Sequence, residues 1–341
     1  MIARSHPEGA IDLSVGTPVD ATPEFIQAAL QEAANSPGYP VTAGTPQLRE
    51  AIDTWARTQL GATGDFGVLP LIGSKEFVAW LPTFVEAKSV LYPSVAYPTY
   101  LVGALLAQAE ATAVEIDSTT WQRADMAWVN SPSNPTGRVH SESELRAAIA
   151  WAREQQSLVV SDECYFEFGD GVVPTSILKF TDGDNRNILA VHSLSKRSSM
   201  AGYRAAFVIG DPALIAQILE VRKHAGMIVP LPVQQAMVAA LSDSAHVAEQ
   251  RSRYNARRSV LRPALEAAGF TIEDSVAGLY IWATRHESAW DSVAWLADLG
   301  ILATPGIFYG DAGAQHIRIA MTATDEQIAS AAARLQAKAS G

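Results

Sequence analysis

The chain has 341 residues, 48% of them apolar and 18% charged, with a net charge of −11 and one cysteine, Cys164. This supports a large core with a smaller second one and excludes a disordered chain, internal disulfides and thiolate metal cages; the acidic balance argues against nucleic acid or anionic membrane as the main partner. No apolar run reaches bilayer length, MIARSHPEGA lacks the apolar stretch of a signal peptide, and the seven histidines form no HExxH-type pair, so a soluble, cytoplasmic protein without a catalytic metal is expected.

From about residue 45 to 230, helical patterns alternate with short apolar runs. TPQLREAIDTWARTQLG reads as a helix, GVLPLIG as a strand, SKEFVAWLPTFVEA as a helix, KSVLYP as a strand and YPTYLVGALLAQA as a helix. ATAVEI, DMAWVN, SLVVSDE, NILAVHS and AAFVIG are further short strands. SESELRAAIAWAREQQ is a helix that opens with Ser141 as cap and Glu144 three residues on. Such alternation predicts a mostly parallel sheet with helices on both faces. Beyond 230 the pattern becomes long helix, interrupted near Ser242, then FTIED, GLYIWAT, a helix around DSVAWLADLG, HIRIAMT and a closing helix. The expected division is a large domain over 40–235 and a smaller α+β unit made of 1–39 with 236–341.

In open parallel sheets, ligands sit beyond the carboxyl ends of the strands. Gly73, Ser74 and Lys75 follow VLPLI, and Asn130 and the NPTG turn with Asn134 follow MAWV. Asp162, Glu163 and Tyr165 follow SLVVS, while Ser193, Ser195 and Lys196 follow NILAVH. Each has an ordinary reading as cap, turn or rim packing; for Cys164, rim packing is retained. Together they fit one ligand. The helix start at Gly73–Lys75 suits a phosphate, with Ser193 and Arg204 adding a hydroxyl and a guanidinium. A buried Asp162 needs a cation, which a protonated pyridine nitrogen provides, and a desolvated Lys196 condenses with an aldehyde. These requirements describe pyridoxal 5′-phosphate. No GxGxxG and no Gly-Lys pair occurs, which removes the common nucleotide loops.

GYPVTAGTPQLREAI, IGSKE, YPTY, NPTG, SDECYFEF, SLSKxxxxxGYR and HIRIA, in this order and spacing, resemble the fold-type I pyridoxal-phosphate aminotransferases of the aspartate aminotransferase class. The resemblance covers nearly the whole chain. It implies a large α/β domain with a mostly parallel seven-stranded sheet flanked by helices, a smaller α+β domain, and amino acid and 2-oxo acid substrates. By the same resemblance Lys196 holds the cofactor's aldehyde and shuttles the proton, Asp162 pairs with the ring nitrogen, and Asn134 and Tyr165 bind the ring's phenolic oxygen. Tyr97 stacks on the ring, and Gly73, Ser74, Lys75, Ser193 and Arg204 form the phosphate site. Tyr39 reaches the phosphate of a neighbouring subunit, which implies a homodimer with shared sites. Arg318 clamps the substrate carboxylate, with Asn134 and the Gly16 backbone beside it.

SLSKRS-x-x-AGYR and GYPVTAGTPQLRE are most similar to the N-succinyldiaminopimelate aminotransferases of actinobacterial type, from bacterial lysine biosynthesis. Those carry Asn at the position of Ser199 and Leu at that of Met200. The implied reaction moves an amino group between glutamate and N-succinyl-2-amino-6-oxopimelate. Arg197, Lys223 and His224 are candidates for the distal carboxylate, each with an ordinary surface reading. The rivals are an aspartate, aromatic or branched-chain aminotransferase, or a C–S lyase. A ligand-sensing regulator is disfavoured, because little chain precedes SVGTP and no DNA-binding domain fits there. Gly202 is expected to let the chain turn so that Arg204 reaches the phosphate.

Overall fold

The computed structural model describes residues 2–339. Seven strands form one sheet, in the spatial order Gly67–Leu71, Ala206–Gly210, Ile188–Ser193, Leu158–Asp162, Met126–Asn130, Ser89–Pro93, Glu110–Val114. Ala206–Gly210 runs antiparallel to both neighbours, and the other pairings are parallel. In register Asn130 lies opposite Asp162, and Asp162 opposite Val191, so these strands end at one rim. This is the mostly parallel α/β sheet that the alternation predicted.

The strands are buried on both faces, as a helix-covered sheet requires. Alternate residues feed two cores. Ala127, Val129, Val159 and Phe207 pack with Leu48, Ile52 and Trp55 on one face. Trp128, Val160, Val191 and Val208 pack with Phe77, Leu81 and Tyr100 on the other. The helix Glu142–Gln155 begins with the expected capping box: Ser141 Oγ accepts the Glu144 N–H, and the Glu144 carboxylate accepts the Ser141 N–H. Such a box satisfies two otherwise orphaned donors, and an N-cap of this kind typically adds about 1 kcal/mol. The helix Pro46–Trp55 continues as a wider turn over Ala56–Leu60 and stops where Gly61 takes a left-handed conformation.

A second, antiparallel sheet holds Thr304–Pro305, His316–Ala320, Tyr280–Thr284 and Thr271–Glu273 in that order. Its core joins Ile281, Ala283, Ile317 and Ile319 to Tyr254, Leu261 and Leu265 of the long helix Ala245–Ala267. The parallel pair Ile11–Asp12 with Ile301–Leu302 escapes sequence reading, because two residues cannot display a period-2 pattern. The first 39 residues divide their contacts. Ile11 and Leu13 pack in the smaller core, whereas Ile26 packs with Met237 and Ala240 against the large sheet. Among the described residues no helix is long and apolar enough to cross a membrane.

Between those two anchors, residues 14–22 pass over the rim of the large sheet. Asp20 ties this strap to the long helix. Its carboxylate accepts two hydrogen bonds from Arg257, at 2.6 and 2.9 Å, and one from Gln250 at 2.7 Å. Burial alone raises the Asp20 carboxyl, but these bonds and the Arg257 and Arg253 charges hold it below the usual range. Arg257 also pairs with the exposed Asp325 at 2.7 Å. Arg257→Ala is expected to destabilise the fold by roughly 2–3 kcal/mol, less than a fully buried pair because solvent screens the network. Urea unfolding with an unchanged m-value measures it.

Candidate active site

At the common rim lies a cavity of about 740 Å³, lined by Ser74, Lys75, Tyr97, Asn134, Asp162 and Tyr165 from the loops and strand ends. Ser193, Lys196 and Arg204 complete that side, and Gly16 and Arg318 close it from the strap and the smaller sheet. Of the expected site residues, only Gly73 and Tyr39 lie outside this lining. Gly73 caps the helix Ser74–Phe84 with φ +90°, and a Cβ there would overlap the Arg204 guanidinium. It therefore belongs to the site through backbone approach. The Tyr39 ring is 101% exposed.

Asp162 is 6% exposed, and burial pushes its carboxyl above the usual range. Oδ2 accepts the Tyr100 hydroxyl at 2.8 Å and Oδ1 the Cys164 N–H at 3.2 Å. Asn134 is held by its own N–H, which donates to Asn130 Oδ1 at 2.8 Å. Its side-chain oxygen accepts from Arg318 Nη1 at 3.0 Å, so a loop of the large sheet meets a strand of the small one. Arg318 Nη2 donates to the Ser14 carbonyl at 2.7 Å, and Nε is buried without a partner. The guanidinium carbon stands 4.0 Å from the Tyr280 ring centre and 5.0 Å from that of Tyr309. The Tyr165 and Tyr280 hydroxyls are 3.2 Å apart. Tyr280, Tyr309 and Ser14 give no signal of this role in the sequence; they read there as strand core or loop.

Lys196 sits on the single turn Leu194–Arg197, directly after the strand Ile188–Ser193. Ser193 caps that turn, its hydroxyl accepting the Ser195 N–H at 3.1 Å. The Lys196 ammonium donates to the Gly16 carbonyl. Burial depresses its pKa to about 8, opposed by Cys164 and helped by the Arg318 and Arg204 charges. The neutral amine is the form that attacks a carbonyl. Capture of pyridoxal by the cofactor-free protein is therefore expected to speed up as pH rises through about 8 and to level off above it. Stopped-flow absorbance measures this; a rate still climbing at pH 10 contradicts it.

Two expectations about this segment are corrected. The left-handed turns are made by Ser199, at φ 50°, and Arg204, at φ 55°; Gly202 has no positive φ. Ser199 occupies the position where the resembled proteins carry Asn, a residue that tolerates this conformation better. Arg197 does not face the cavity. It is buried over the Trp55 ring, 3.1 Å from Glu167, and lines a separate cleft of about 1140 Å³. Lys223 is exposed beside Glu220, and neither it nor His224 lines the cavity.

The residues fit pyridoxal 5′-phosphate. A buried carboxylate raised by its surroundings suits a cationic ring nitrogen. The free N–H groups opening Ser74–Phe84, with Ser74, Lys75 and Arg204, suit a phosphate.

Residues 8–335 match the family model for aminotransferase class I and II. The chain belongs to this pyridoxal-phosphate-dependent enzyme family. It is 54% identical, over 98% of its length and 95% of the relative's, to a 4-dedimethylamino-4-oxo-anhydrotetracycline transaminase of Streptomyces rimosus. It is 53% identical, over 98% of its length and 82% of the relative's, to a probable aminotransferase of Mycobacterium tuberculosis. Among solved structures, a probable N-succinyldiaminopimelate aminotransferase from Thermus thermophilus aligns with TM-score 0.90 and 26% identity, over 98% of this chain and 96% of that one.

Proposed function

We propose that this chain transfers an amino group between glutamate and N-succinyl-2-amino-6-oxopimelate. The convergence of Lys196, Asp162 and Arg318 in one cavity carries the reading of the chemistry. The Thermus structure supports the succinylated substrate, and a 33% identical LL-diaminopimelate aminotransferase of Dehalococcoides mccartyi, matched over 97% of this chain and 92% of the relative, supports the wider diaminopimelate class.

Pyridoxal phosphate, when bound, supplies an aldehyde for the amine and a protonated ring that takes up an electron pair. The rest falls to the chain. Lys196 Nζ, poised near neutrality, takes the proton from the substrate Cα. Asp162 holds the opposite charge at the ring nitrogen. Arg318, its fork spread between Asn134 and Ser14, binds the α-carboxylate in a bidentate grip. Asn134 and Tyr165 hold the phenolic oxygen, Tyr97 covers the ring, and Ser74, Lys75, Ser193 and Arg204 hold the phosphate. Tyr39, exposed on its own chain, reaches a second copy in a homodimer with shared sites.

A second reading rests on the Streptomyces relative: amination of a ketone on a fused-ring substrate. The cavity mouth favours it, because Phe308 lines the cavity, is 55% exposed and packs edge-on against the exposed Trp290. Spectra of the holoenzyme against a panel of donors, with 2-oxoglutarate as acceptor, separate the readings. N-succinyl-L,L-diaminopimelate is expected to turn over. Its failure, with strong turnover of aspartate, an aromatic amino acid or an aminated anhydrotetracycline, rejects the proposal. Release of pyruvate and ammonia from cystathionine identifies a lyase instead.

A further inference from the structure

We propose that Tyr100 is a positioning residue for Asp162, its hydroxyl keeping that carboxylate ionised and in place for the cofactor ring. The inference rests on the reading of Asp162 as the partner of the ring nitrogen.

Tyr100 lies in the helix Thr99–Leu106 and is fully buried in the core under the large sheet. Its ring is fixed from two sides. It stacks on Trp128, with centres 4.9 Å apart and planes 20° apart, and meets Tyr97 edge-on at 5.8 Å. A core position needs only the ring; a buried phenol also needs a partner for its O–H. That partner is Asp162 Oδ2 at 2.8 Å. Burial and the Asp162 charge push the phenol's ionisation well above the usual range, so the hydroxyl donates and the carboxylate accepts.

The donation acts where it is needed. Asp162 sits between desolvation, which favours its neutral form, and hydrogen bonds to the charged form. Those bonds come from the Cys164 side chain, from Tyr100 on one oxygen and from the Cys164 N–H on the other. The titratable groups about it besides Tyr100 are Tyr97 and Cys164 on the cavity side, Lys196 in the same lining and His192 on the next strand. His192 lies 3.1 Å from Glu163 and is packed by Trp55, Phe166 and Phe207. Tyr100 is thus a side-chain donor held rigidly on one oxygen of this carboxylate, beside the weaker thiol donor of Cys164. A carboxylate retains acceptor capacity beyond these bonds for a ring N–H.

Tyr100→Phe keeps the ring and removes the donor. In the cofactor-free protein, the infrared band of the protonated Asp162 carboxyl, identified by its absence in Asp162→Asn, is expected to titrate at higher pH than in the parent. The dissociation constant for pyridoxal 5′-phosphate should rise roughly tenfold, and the acidic limb of kcat/KM should move to higher pH. Trp128→Phe, which alters the same stack without touching the hydroxyl, should retain the parental titration. An unchanged titration in Tyr100→Phe overturns the role of Tyr100. A shifted titration with unchanged cofactor affinity removes Asp162 from the cofactor site, and the proposal with it.

Discussion

Lys196→Ala is expected to abolish transamination, with turnover down at least roughly 10⁴-fold, the upper range for loss of a positioned acid–base group alone. Two roles end together. The amine that takes the Cα proton is gone, and so is the group to which the cofactor's aldehyde attaches. Borohydride treatment followed by intact-protein mass measurement should add the cofactor's mass to the parent and not to the variant. Folding should survive, since the side chain makes one hydrogen bond, to the Gly16 carbonyl, and burial already works against its charge. Because the strap loses that contact, the variant also reports whether residues 14–22 stay ordered without it. Normal turnover in a well-folded variant rejects the mechanism.

Asp162→Asn is expected to lower kcat by roughly 10²–10⁴, about 3–5 kcal/mol, the scale of an uncompensated charge in a buried pair. The amide keeps the shape of the carboxylate and can still bond Tyr100 and the Cys164 N–H, but it cannot balance a ring cation. The stability effect has the opposite tendency. The carboxylate is buried at a cost in the cofactor-free protein, so that form of the variant should melt no lower than the parent. Thermal melts of both forms, with turnover measured alongside, make the distinction. A variant that retains activity within tenfold has no need of charge at this position.

The strand–helix alternation was legible because it is written in near neighbours: the strands of the large sheet are short, mostly apolar runs buried on both faces, and three of them end in the polar residues Asn130, Asp162 and Ser193. Asn130, Asp162 and Ser193 could be set on one rim because parallel strands in register end together. The smaller unit was less legible, as its pairing of Ile11–Asp12 with Ile301–Leu302 spans nearly the whole chain in two residues. Tyr100 passed for an ordinary helix residue, and Tyr280 for strand core.

By itself, then, the sequence determined the α/β class, the succession of strands and helices along the chain and the chemical identity of the rim, with Lys196 and Asp162 among its residues. Only the tertiary structure decided which side chains meet across it. Arg318 reaches Asn134 and Ser14 from another sheet, Arg197 turns to Glu167 and Trp55 rather than to the cavity, and Ser199 and Arg204 take the left-handed turns. Periodicity reports which face a residue occupies. It carries no information on what a segment hundreds of residues away brings to that face, and at this site the strap and the smaller sheet supply that other wall.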